Sequence, residues 1–227
     1  MPKIFIAGAL ALASVACCAA DLTETETRWL QGAMPVIAHA QQLKLPLDIV
    51  VQPQPSAGLA PLALAFIEGR CKLVLSMRGN PEAEATLERI EPALRGPALE
   101  LMAAHEIGHC RRYLDGAWMG TPAGFVTSSV PASLKPDQRQ AWIDMKATRR
   151  EEGYGDLVGL SWTQQHHPEL YGQLRSWLLK ERSRDLIPGS HHDTLAWVRL
   201  AADGHAFDGP TLFDGVTALW KAGLAAD

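Results

Sequence analysis

The sequence has no long run of like charge, no low-complexity tract and no internal repeat. Disorder and a repeat array are therefore excluded, and 47% hydrophobic with 20% charged residues reads as globular. It has no basic excess: 21 Lys and Arg stand against 25 Asp and Glu, for a net charge of -4. An acidic chain lacks the electrostatic footprint of a nucleic-acid binder. Beyond residue 20 it has no apolar run of the ~20 residues that a membrane-spanning helix needs. Cysteine is scarce, with four in 227 residues.

Two of those cysteines, Cys17 and Cys18, lie in the opening stretch "MPKIFIAGALALASVACCAA". One lysine, an apolar run and then small residues make the layout of a secretory signal peptide over residues 1–20, cleaved near Ala20. Lipid anchoring at Cys17 or Cys18 would need a leucine three residues earlier, and Ser14 and Val15 stand there. The expectation is an exported chain, periplasmic or secreted, with one domain over 21–227. Export leaves two cysteines, Cys71 and Cys110, in an oxidising compartment that invites a disulfide.

The remainder reads as helix, small sheet, then mostly helices, an α+β class dominated by α. A helix from Leu22 is expected to be interrupted near Pro35. "LPLDIVVQP" reads as a strand. Two more strands flank Glu68-Gly69 as a hairpin, the second with Cys71, Leu73, Leu75 and Met77 on one face. Asn80 and Pro81 open a helix that Gly96-Pro97 breaks. Residues 116–136 are rich in Gly, Pro, Ser and Thr and read as a long irregular segment. Helix returns near Asp137, and Asp193 or Thr194 is a plausible N-cap for the helix that follows.

The chemistry centres on "ELMAAHEIGHCRRYLDG". His105 and His109 are one helical turn apart, so both imidazoles can reach one ion. Glu106 lies beside them, where it can take a proton from an activated water. Leu99, Ala103, Ile107, Cys110 and Leu114 form an apolar stripe on another face, built to pack. Cys110 points roughly 100° away from His109, which disfavours it as a ligand.

A catalytic zinc takes three protein ligands and leaves a position open. Asp115, six residues after His109, would require glycine at 112, where arginine stands. The better place is "RREEGYGDLVGL". Glu152 and Asp156 share a helical face at i and i+4. Glu152 can be the third ligand, and Asp156 can hold the free N–H of a ligating histidine. Glu151 remains the alternative ligand if the register slips. Glycines 153, 155 and 159 cost about 1 kcal/mol each in an exposed helix, a cost that close packing at a metal site explains.

His-Glu-x-x-His followed by Glu-x-x-x-Asp on a later helix resembles the gluzincin zinc metallopeptidases, nearest to those with a minimal catalytic domain. The likeness runs from Cys71 to Thr194. It implies a zincin-like fold, with a small N-terminal sheet packed on the His-Glu-x-x-His helix and a helical C-terminal part. It implies one Zn2+ per chain on His105, His109 and Glu152, with Glu106 as base and protein or peptide as substrate. It also implies an edge strand that aligns the substrate, for which "CKLVLSM" is the candidate. "GSHHDT" resembles a histidine-bearing stretch of that family, so His191, and behind it His192, are candidates to steady an oxyanion. Tyr154 is a further candidate. His39, His166, His167 and His205 read as surface or capping residues.

In the zincin layout the Cys71 strand packs on the His109 helix. A Cys71–Cys110 disulfide would then tie the two, contributing roughly 3–4 kcal/mol by closing a loop of about 40 residues. The alternative from another class is a zincin-fold protein that binds metal or peptide without efficient turnover. Glu106 argues against it, because a structural zinc site needs no base.

Overall fold

The computed structural model describes residues 21–52, 59–125, 129–184 and 186–225. The expected signal peptide lies outside them. The architecture is α+β and mostly helical, with one small sheet. Among the described residues no helix is long and apolar enough to cross a membrane.

Helix α1 (Glu24–Gln42) starts at a capping box, in which Thr23 and Glu26 satisfy each other's backbone N–H groups. It runs through Pro35 rather than stopping there. Pro35 and Gln31, the residue whose carbonyl loses its partner, are both exposed, so water can take up the bond. Trp29, Ala33, Val36, Ile37 and Ala40 on the other side are buried. Their burial outweighs a proline cost of about 3 kcal/mol.

Three strands follow: β1 (Leu47–Val51), β2 (Leu62–Ile67) and β3 (Arg70–Leu75). The hairpin between β2 and β3 turns at Glu68 and Gly69, both with positive φ (52° and 74°), the backbone of a two-residue type I′ turn. Cys71, Leu73, Leu75 and Met77 are buried as the alternation predicts. The expected edge position of this strand is not what forms. The order is β1-β3-β2, with β1 parallel and β2 antiparallel to β3. β3 is the centre of the sheet, and the edge beside the motif helix is β2.

The helix after Asn80 is split. α2 (Pro81–Glu88) ends before Glu91-Pro92, and a short 3-10 turn leads into α3 (Arg95–Leu114). Gly96 and Pro97 lie in the first turn of α3, so the break falls a few residues earlier than expected. The apolar stripe of α3 is buried from Leu99 to Cys110, but Leu114 is 36% exposed, so the packed face ends a turn early. Cys71 and Cys110 form a disulfide with Cα atoms 5.6 Å apart, fixing the central strand to α3.

Residues 116–125 are irregular, as expected, and α4 (Pro136–His166) then runs for 31 residues. α4 packs along α3 as the principal helix pair. A Cβ on Gly155 would stand 2.7 Å from the His105 ring, and one on Gly159 would stand 2.8 Å from the Leu101 carbonyl oxygen. Glycine at these two points is what lets the helices meet so closely. α5 (Tyr171–Ser183), α6 (Leu195–Leu200) and α7 (Val216–Leu224) cover the remaining faces of α4.

Candidate metal centre

α3 and α4 bring three donor groups to one point. His105 Nε2 lies 2.9 Å from His109 Nε2. Each is 3.5 Å from an oxygen of Glu152, His105 from Oε2 and His109 from Oε1. These ligand atoms all fall within 4.8 Å of one another, and among the described residues no other group of His, Cys, Asp and Glu converges in this way. Two imidazole nitrogens and a carboxylate suit a borderline-soft divalent cation such as zinc. Two Nε2 atoms 2.9 Å apart need a positive charge between them, which a proton or a shared metal cation would supply. The donor set therefore fits the ion.

Of the two adjacent glutamates, only Glu152 faces the histidines. Glu151 is fully buried on another side of α4. It accepts from Arg112 Nε (2.9 Å) and Nη2 (2.8 Å) and from the Met119 N–H (3.0 Å). Asp115 is bonded to Arg111 at the surface and does not join the cluster.

Asp156 is buried and serves three partners. It accepts from His105 Nδ1 at 3.0 Å, from Arg182 Nε and Nη2 at 2.8 and 2.6 Å, and from the Thr194 hydroxyl. With Nδ1 donating to Asp156, His105 turns its Nε2 to the cluster. Thr194 precedes α6 but makes no capping bond with its side chain. Its hydroxyl is used by Asp156 instead.

Arg182 went unnoticed in the sequence. Its signal was available: Leu174 and Leu178 are buried on α5, and position 182 continues their four-residue spacing. An arginine on a packed stripe requires a buried carboxylate. Trp118 was also missed, as a single aromatic residue in a Gly- and Pro-rich segment. Its ring meets His109 edge to face, with centroids 5.4 Å apart.

The charges agree with the geometry. Three carboxylates, Glu106, Glu152 and Asp156, surround one guanidinium, leaving a field that favours a cation. Burial alone would lower the proton affinity of His105, but hydrogen bonds to Asp156 and Glu152 outweigh it, and its pKa is raised to about 10. Burial works to raise Glu152 too, yet the two histidines hold it well below the usual carboxylate range. Glu106 is half-buried and has no hydrogen bond to another described residue. Burial pushes its carboxyl up, the direction that suits a proton acceptor.

Of the two candidate oxyanion histidines, His192 is the nearer. Its Nε2 is 4.0 Å from Glu152 Oε2. Both rings are exposed, the His192 side chain by 58%, but among the described residues His191 reaches only the His192 ring, at 4.1 Å between centroids. Partial burial and the Arg182 charge push the His192 ring's pKa down, the direction that favours a neutral ring with one N–H to give. The loop that carries it is held by Arg149 Nε on the Asp193 carbonyl (2.6 Å) and by Asp193 on the Gly189 N–H (2.9 Å). Tyr154 packs on Trp220 and Arg112, away from the cluster.

The remaining histidines divide. His205 is at the surface, bonded to Asp208. His39, expected at the surface or as a capping residue, lies in the last turn of α1 and sets its ring against Trp162, with Nε2 buried and without a hydrogen-bond partner among the described residues. No protein-family model, curated protein or solved structure matches this chain.

Proposed function

We propose that the chain is an exported, zinc-dependent endopeptidase with a zincin-like fold, of the gluzincin kind. The observation that carries this reading is the convergence of His105, His109 and Glu152 beside a Glu106 carboxylate that, among the described residues, no other side chain hydrogen-bonds. A purely structural site would have no use for that free base.

A zinc ion held by those three residues would supply Lewis acidity towards a water molecule and a carbonyl oxygen. Glu106 accepts the proton of the attacking water at its carboxylate and delivers it to the leaving amine nitrogen. His192 donates its N–H to the oxygen that gains charge. Asp156 holds His105 in one tautomer, and Arg182 keeps Asp156 ionised and fixed. The substrate backbone pairs with the edge of β2 in an extended form.

The Cys71–Cys110 disulfide is consistent with export. The test is zinc content and peptide hydrolysis in the purified chain from residue 21. Glu106→Gln should retain one zinc per chain and lose hydrolysis by about 10²- to 10⁴-fold. Glu152→Ala should lose zinc, and Glu151→Ala should retain it. Zinc binding without any hydrolysis in the parent chain would leave a metal-binding protein that does not turn over.

A further inference from the structure

Three aromatic rings from separate parts of the chain form a continuous stack next to the metal centre. Phe66 on β2 lies on Tyr113 of α3, with centroids 4.8 Å apart and planes 7° apart. Tyr113 lies on Trp118 at 4.0 Å and 14°. Trp118 then meets the ring of His109. All three are partly exposed, and their chain neighbours Leu114 (36%) and Met119 (43%) extend the apolar surface. An aromatic cluster serving only the core would be buried.

The stack also touches the free edge of the sheet. Cys71 donates its N–H to Pro46, and Leu75 accepts from the Gln52 N–H. These residues of β3 and its flank therefore direct their backbone groups to the β1 side. Their opposite numbers in β2, Leu62, Leu64 and Phe66, point N–H and C=O away from β3. Among the described residues, the groups of Leu64 and Phe66 have no hydrogen-bond partner. Phe66 thus offers its backbone to an added strand and its ring to the stack. An extended chain on that edge repeats its side chains on one face every ~7 Å, on the face that carries the rings.

The position of Trp118 is held at some cost. The buried Glu151–Arg112 pair binds the Met119 N–H and the Gly120 carbonyl, two consecutive residues directly after Trp118. Arg112 in turn lies 4.4 Å from the centroid of Trp220. Desolvating an ion pair is unfavourable, and here the pair fixes one surface-reaching tryptophan.

We infer that Phe66, Tyr113 and Trp118 form the specificity wall of the site, selecting polypeptides with an aromatic side chain close to the bond that is cut. The inference rests on the peptidase reading above. An aromatic side chain lies against the rings by offset or edge-to-face contact, while the β2 edge holds its backbone.

Two measurements on zinc-loaded protein test this and separate it from the peptidase reading. Cleavage of a mixed peptide library should place Phe, Tyr or Trp at one fixed position relative to the cut. Trp118→Ala should reduce kcat/KM on a Phe peptide about tenfold, and should reduce it far less on the matching Ala peptide. Zinc content should stay at one per chain, with Trp118→Phe restoring most of the preference. In parallel, Glu106→Gln should bind the labelled Phe peptide more tightly than the Ala peptide by fluorescence polarisation, with the difference lost on adding Trp118→Ala. Cleavage with a flat profile, or equal loss on both peptides, overturns the wall and leaves the peptidase standing. Absence of cleavage counts against the peptidase alone, and the binding comparison then decides the wall: equal affinity for the two peptides overturns it.

Discussion

The seam between α3 and α4 carries two polar clusters, about two turns apart, and they differ in one respect. At one end lie His105, His109, Glu152 and Asp156. At the other lie Glu100, Trp162, His166 and His167, with His39 reaching in from α1. Glu100 accepts from Trp162 Nε1 at 2.8 Å and from His167 Nε2 at 2.9 Å. His166 stacks on Trp162 at 3.6 Å. Both ends hold histidines and a carboxylate, but only the first turns several lone pairs to a shared point. The second is bonded pair by pair, with a tryptophan filling the space between helices. Glycine makes the difference at the first end, since Gly155 lets the His105 ring lie against the α4 backbone.

The largest break in that contrast is Arg182→Met. It strands the buried Asp156 carboxylate and should destabilise the protein by about 3–5 kcal/mol, read from urea unfolding. Its pH dependence is also fixed in sign. Burial favours the neutral carboxyl of Asp156, but Arg182 and His105 outweigh it and depress the folded pKa below 3.8. That contribution is full above the unfolded value of about 4 and is lost as pH falls through the folded value. The variant's deficit should therefore be full near neutral pH and shrink on acidification, as the parent loses the Asp156–Arg182 contribution and the stranded carboxylate is neutralised.

A smaller effect is expected from Gly155→Ala. The new methyl group meets the His105 ring, and overpacking of this kind costs about 1–3 kcal/mol. Zinc content measured alongside stability should fall as well, because the ring must move. Retained zinc with retained stability would refute the role given to the close approach. The smallest effect is Glu100→Gln at the other end. An amide oxygen still accepts the Trp162 bond, so the change should be about 1 kcal/mol or less, with zinc unaltered. Zinc loss in that variant would erase the distinction between the two clusters.

Much of the candidate centre was legible because helical periodicity is a local rule. His105 and His109 four apart, and Glu152 and Asp156 four apart, share faces wherever their helices lie. The hairpin at Glu68-Gly69 and the alternation at Cys71, Leu73 and Leu75 are local for the same reason. The packed stripe on α5 signals that Arg182 needs a carboxylate but not which one, because its partner lies 26 residues away on another helix. Trp118 was illegible because nothing in an irregular segment fixes where a ring will lie. The edge position was misassigned to β3 because sheet order depends on the parallel pairing of β1, a non-local choice that one strand's own pattern does not contain.

The sequence by itself determined which candidate donor side chains share a helical face, the mostly helical α+β class and the strand face that carries Cys71. The tertiary structure set Glu152 rather than Glu151 beside His105 and His109, gave Glu151 to Arg112, made β2 a free edge among the described residues and brought His192 rather than His191 near the cluster. The physical reason is that spacing along a helix fixes only relative direction. Which side chain reaches which partner depends on how closely two elements pack, and here glycines on α4 and a disulfide on α3 set that distance.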